Sequence, residues 1–149
     1  VGSVKTDDEA KMFIDLGASF IVSPFLDKSI AKVCVKNNIP WIPGCGTLTE
    51  MMIAEKLGAE VLKLFPGGVF GSKFISSVLA PFPWLKIMPT GGVTADLDNI
   101  SEWFHAGAYC LGMGSKLISK EYFKDNDFGG LEKHILQVIK KIEMARKNG

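Results

Sequence analysis

The sequence predicts an α/β fold: a (β/α)8 TIM barrel, here incomplete, with about six of eight β/α units over 1–149 as a single partial domain. Three observations carry that expectation. Short apolar runs end at proline or glycine at a steady interval: Pro24, Pro43, Pro66 and Pro89 lie 19, 23 and 23 residues apart, and a further 23 reaches Gly112. The runs are continuously apolar rather than alternating, as befits parallel strands covered on both faces. No GxGxxG opens a first strand–helix turn, as a dinucleotide-binding open sheet would require.

The elements follow in order. A first strand lies in VGSV, 1–4. Thr6-Asp7-Asp8-Glu9 then fits a capping box, in which a Thr hydroxyl and a Glu three residues on satisfy orphan backbone donors. Gly17 follows that helix and, like Gly58 and Gly107 later, suits a helix-terminating residue with positive φ. The second strand is expected at about 19–23, ending in FIVSP, and the third at 40–43, in WIPG. A second capping box, Thr47-Leu48-Thr49-Glu50, opens the next helix. The remaining strands are expected at 61–65, 85–89 and 109–112, ending in KLFPGG, IMPTGG and CLGMGS. A final helix from Leu131 to Arg146 carries Leu131, Ile135, Val138, Ile139 and Ile142 on one face.

Six strands would also suit a doubly wound open sheet. The polar features, however, sit at the C-terminal ends of their strands, the active face of a barrel. The count is then short by two strands, roughly 50–70 residues at this repeat length, expected upstream of Val1. The six runs become strands three to eight.

Composition sets the class. The chain is 47% hydrophobic and 22% charged with a net charge of +1, which is globular and makes no electrostatic case for nucleic acid or an anionic membrane surface. No apolar run approaches the ~20 residues needed to cross a bilayer. Cys34, Cys45 and Cys110 are far apart without metal-ligand spacing, so no metal is expected, and reduced thiols in the cytoplasm are the default. The chain opens on Val1 rather than Met, which leaves room for a targeting segment upstream.

Two strand ends point to phosphate. PTGG (89–92) and GMGSK (112–116) are the last two, and barrels often bind phosphate with the loops after strands seven and eight and a short extra helix. Glycine lets backbone N–H groups approach an anion, Thr90 or Ser115 adds a hydroxyl, and 115–118 suits that short helix. The alternative is a pair of tight turns that need glycine only for φ.

Lys63 is the candidate nucleophile. In a strand, Val61, Lys63 and Phe65 point one way and Leu62 and Leu64 the other. Aliphatic Leu62 and Leu64 suit the helix-covered outside, so Lys63 points into the barrel, two residues below the active face. Desolvation there disfavours the ammonium, and a neutral amine is what Schiff-base chemistry requires. The alternatives are a lysine paired with an inward carboxylate and one snorkelling to the rim.

Taken together, GSV (2–4), FIVSP (20–24), IPGCGT (42–47), KLFPGG (63–68), IMPTGG (87–92) and GMGSKL (112–117) resemble the class I 2-keto-3-deoxy-6-phosphogluconate aldolases, also called 4-hydroxy-2-oxoglutarate aldolases. The resemblance implies a homotrimeric barrel whose strand-six lysine, Lys63 here, forms a Schiff base with pyruvate, without metal or other cofactor. It implies keto-acid contacts at Ser3, Pro24, Thr47 and Thr90, and phosphate contacts at Gly91, Gly92, Gly114 and Ser115. The family's general acid/base glutamate and a carboxylate-gripping arginine lie in an EVTxR-type motif on an early strand. No such motif occurs here, and both are expected upstream.

Other residues are expected to be structural. His105 lies near a helix C-terminus and His134 in the last helix. Trp41, Trp84 and Trp103 are expected to pack strands against helices. Cys45 lacks any activating neighbour, and Glu50 and Glu60 face away from the barrel centre. Two rival readings remain: an isomerase or synthase of the phosphate-binding barrel group without covalent catalysis, and an inactive fragment.

Overall fold

A computed structural model describes residues 1–147. Its strands are short, parallel and laid down in chain order. β1 (Ile21–Val22) pairs with β2 (Trp41–Ile42), while β3 (Gly44–Cys45) pairs with β4 (Leu62–Leu64), and β4 with β5 (Ile87–Pro89). β2 and β3 are two halves of one stretch: Pro43 changes partner between them, its carbonyl accepting from Lys63 N–H at 2.9 Å. Gly44 N–H also donates to Ser23 O at 3.0 Å, so the two small ladders form one continuous curved sheet. Strand order follows chain order, as in a barrel and unlike a sheet whose winding reverses.

The two outermost expected strands are weaker than the sequence suggests. Residues 1–4 join β1 through Val22 N–H to Val1 O (2.8 Å) and Val4 N–H to Val22 O (3.2 Å). A regular parallel ladder would use residue 3 for the second bond. Ser3 is instead an extra residue at φ +62°, and the ladder is interrupted there. At the other edge, 109–112 makes a single bridge, Gly112 to Thr90, with Tyr109 N–H and Gly112 N–H reaching Ile87 O and Pro89 O, both at 2.9 Å.

Eight helices lie among the described residues: α1 (Asp7–Asp15), α2 (Lys28–Lys36), α3 (Leu48–Lys56), α4 (Gly67–Phe70), α5 (Ser72–Leu79), α6 (Leu97–His105), α7 (Lys120–Lys124) and α8 (Phe128–Lys147). The capping box at Thr47 and Glu50 is complete. At α1, Thr6 caps Glu9 N–H, but the Glu9 carboxylate reaches Lys5 N–H at 2.7 Å instead of closing on Thr6. Gly17, Gly58 and Gly107 adopt φ of +89°, +94° and +97°, as helix terminators should.

The core lies between sheet and helices. Ile21, Trp41, Cys45, Leu62, Leu64 and Ile87 alternate onto that face and are all buried. Full burial of each large aliphatic side chain contributes roughly 1.5–3 kcal/mol. Ser23 shares this layer because its hydroxyl is satisfied: it donates to Phe25 O at 2.7 Å and accepts from Trp41 Nε1 at 3.0 Å. Trp103 is likewise buried, whereas Trp84 is 58% exposed on the loop before β5, where its indole N–H donates to Glu55. The packing role expected of Trp84 is therefore corrected.

A smaller cluster joins α8 to α6 through Ile100, Val138, Ala145 and Ile142. Of the apolar face expected on the last helix, Ile139 is 44% exposed. The seam runs Val138, Ile142, Ala145, a narrow i, i+4, i+7 stripe in which a small residue allows close approach.

Candidate active site

β4 positions the lysine. Its register places Lys63 opposite Gly44 on one side and Met88 on the other, all on the face turned away from the helices. That face also carries Val22 and Ile42 and is less covered than the outer one: Val22, Ile42 and Met88 are half-buried. Lys63 itself is only 7% exposed. Among the described residues no carboxylate pairs with its ammonium and no side-chain hydrogen bond reaches it. An aromatic ring fills the place of a counter-ion: Nζ stands 4.6 Å from the centroid of Phe65. Burial pushes the lysine down from its ordinary value of 10.5. The inward-carboxylate alternative thus finds no partner among these residues, and so little exposure does not suit a side chain snorkelling into solvent.

Beyond β4 the chain turns at Pro66 into α4, which opens on Gly67 and Gly68, and this segment is bonded to the loop beyond β5. Gly67 N–H donates to Thr90 O at 2.8 Å and Gly68 N–H to Gly91 O at 2.6 Å. A Cβ on Gly92 would lie 2.5 Å from Gly68 Cα, so the two loops pack backbone to backbone. Gly91 and Gly92 adopt φ of +80° and +83°. Neither N–H is donated to an acceptor among the described residues, and both glycines are exposed. The loop therefore combines both readings of its sequence: glycine is needed for φ and approach, and two donors remain free.

The other expected contacts vary. Thr90 Oγ1 is buried without a partner among the described residues, over Gly112, where any side chain would collide with it. Gly114 and Ser115 are exposed; 115–118 forms a single turn in which Leu117 and Ile118 N–H close on Gly114 O at 2.8 and 3.0 Å. It is not the short helix expected there, and the next helix begins at Lys120. Ser3 is exposed, and Pro24 is half-buried with its carbonyl pressed on Gly44, where a Cβ has no room. Thr47 is committed to α3: its hydroxyl accepts from Glu50 N–H at 3.2 Å and donates to the Glu50 carboxylate at 2.9 Å. These residues share the C-terminal end of the sheet; the shortest links there join Lys63 to the Phe65 ring, and Thr90 and Gly91 to the turn after β4.

Neighbouring titratable groups are quiet. The Glu50 carboxyl is held low, first by Gly46 N–H and then by Thr47, as a helix-capping group is. Burial pushes the Cys45 thiol up to about 12, aided by the Glu50 charge, so it is not a nucleophile. His105 Nδ1 lies 2.7 Å from Ser101 O, and His134 stacks on Tyr122. Grooves of 370 and 290 Å³ lie at the opposite end of the sheet, around Glu60, Val61, Trp84 and Lys86, away from this cluster. The pairing of the two glycine loops left no sequence signal beyond GG recurring at 67–68 and 91–92. The Phe65 ring was signalled by its i+2 spacing from Lys63.

A parallel sheet in sequential strand order, with a buried lysine unpaired among the described residues near one strand's C-terminal end and a glycine loop beside it, defines an α/β protein with its candidate site at the strand ends. Residues 1–134 match the family of KDPG and KHG aldolases, and the chain belongs to that family. The 2-dehydro-3-deoxy-phosphogluconate aldolase of Haemophilus influenzae is 32% identical over 93% of this chain and 66% of its own length. The 2-dehydro-3-deoxy-6-phosphogalactonate aldolase of Escherichia coli K12 is also 32% identical, over 78% of this chain and 56% of its own. A solved native KDPGal structure superposes with a TM-score of 0.81 at 26% identity, covering 99% of this chain and 67% of that one. The chain thus spans about 56–66% of the length of these two curated relatives.

Proposed function

We propose that Lys63 is the Schiff-base nucleophile of a class I aldolase that cleaves a 2-keto-3-deoxy-6-phospho sugar acid or 4-hydroxy-2-oxoglutarate. One observation carries the reading: a lysine 7% exposed, without a carboxylate partner among the described residues, beside a loop that offers two free N–H donors. The neutral amine adds to the C2 carbonyl, and loss of water with uptake of one proton leaves a protonated imine. The C3–C4 bond then breaks: its electron pair moves into the imine to give an enamine, the C4 hydroxyl proton passes to a base, and an aldehyde departs. Protonation of the enamine at C3 and hydrolysis release pyruvate and the free lysine. Thr90, Ser3, Pro24 and Thr47 lie along the keto acid in this reading. Gly91, Gly92, Gly114 and Ser115 receive the phosphate, and the iminium makes a metal unnecessary.

The base and the carboxylate-gripping arginine belong to two further β/α units of an eight-stranded barrel. The sequential strand order and the half-covered inner face support that arrangement. Its setting would be a cytoplasmic homotrimer, acting on a small-molecule keto acid. The test is reduction with borohydride in the presence of pyruvate, followed by peptide mapping. An adduct of pyruvate mass on Lys63 is the expected result. An adduct on another lysine, or none, overturns the assignment and leaves the non-covalent isomerase reading.

A further inference from the structure

We infer that the Phe65 ring is the cation-stabilising partner of Lys63, acting through its π face on the iminium that forms there. The inference rests on the Schiff-base reading above and specifies how the site holds the positive charge. Nζ lies 4.6 Å from the ring centroid, within the range where an ammonium is attracted to an aromatic face. Its neighbours across the sheet, Gly44 and Met88, carry no charge, and no described carboxylate pairs with it. The ring also borders the next loop: a Cβ placed on Gly91 would lie 3.5 Å from its edge. Phe65 therefore lies between the nucleophile and the TGG loop.

A ring and a carboxylate in contact with Nζ have different chemical consequences. A carboxylate paired with Nζ would favour the ammonium strongly and so hold the amine in its charged, unreactive form. A quadrupole attracts a cation more weakly and accepts no proton. It thus leaves burial free to favour the neutral amine before attack, yet favours the cation once the imine is protonated. Phe65 is a positioning residue in this sense, and its effect scales with the electron density of the ring.

Site-specific replacement of Phe65 by mono-, di- and trifluorophenylalanine weakens the π face while keeping ring shape. Cyanoborohydride, which reduces the iminium and not the neutral imine, reads the cation directly in the presence of pyruvate. We expect the rate of adduct formation at Lys63 to fall stepwise with fluorination, and Phe65→Leu to lose about 2- to 30-fold. Circular dichroism and urea midpoints should stay level across the fluorinated series, since a packing role depends on shape. Nitrogen NMR of labelled Lys63 reads the same contact without substrate: its titration midpoint should fall in step. Flat rates and a flat midpoint, with an adduct still on Lys63, overturn the role of Phe65 alone. No adduct in the unsubstituted protein, whatever the midpoint does, overturns the Schiff-base reading.

Discussion

The two faces of the sheet differ in what covers them, and the difference separates stability from chemistry. On the outer face Ile21, Leu62, Leu64 and Ile87 are buried under helices, and a shared Ser23–Trp41 hydrogen bond satisfies the one hydroxyl there. On the inner face Val22, Ile42 and Met88 are half-buried around a lysine with no counter-ion among the described residues. Apolar burial is non-directional and adds with area, so any aliphatic of the right size serves the outer layer. The inner layer instead holds one amine in a low-dielectric setting, which costs stability and favours its neutral form.

Lys63→Met breaks the contrast most severely. It should abolish the pyruvate adduct altogether while leaving stability unchanged or higher, checked by mass spectrometry and urea denaturation. It should also flatten an alkaline pH dependence. Because burial lowers the Lys63 pKa, the unfolded chain holds more protons between the folded midpoint and 10.5, so stability rises with pH across that window. In Lys63→Met this rise should disappear.

Truncating the two faces gives the next largest effect. Ile87→Ala should cost about 2–5 kcal/mol, because its pocket is closed by helices. Val22→Ala on the inner face should cost about a third of that or less, since the side chain is already partly solvated. Equal losses in urea midpoints would remove the distinction. Gly92→Ala tests where the faces meet at the loop. With φ at +83° and Gly68 Cα in the way of a Cβ, it should cost about 1–3 kcal/mol and weaken inorganic phosphate binding in calorimetry. The smallest effect is Thr47→Ala, which removes a helix cap for about 1 kcal/mol. If it instead raises KM with little change in stability, Thr47 belongs to the substrate and not to the helix.

Much of the site was legible because strand periodicity is rigid. The alternation at 61–65 places Lys63 and Phe65 on one face and Leu62 and Leu64 on the other, and the register agrees. The glycine terminators were legible for the same reason: few residues tolerate their φ. The edge strands were not, since a ladder depends on a partner that sequence does not name. Ser3 interrupts the first, and 109–112 keeps one bridge. Ile139 on α8 was misplaced because helical periodicity gives a face but not the width of the neighbour that covers it.

By itself, then, the sequence determined the repeat, the inward lysine and the positions of the glycine turns, all of which follow from local geometry and steric limits on φ. Only the tertiary structure decided that Gly67 and Gly68 donate their N–H groups to the neighbouring loop, leaving those of Gly91 and Gly92 without an acceptor among the described residues. A donor's partner is set by which backbone arrives beside it, and that depends on the packing of segments more than twenty residues apart.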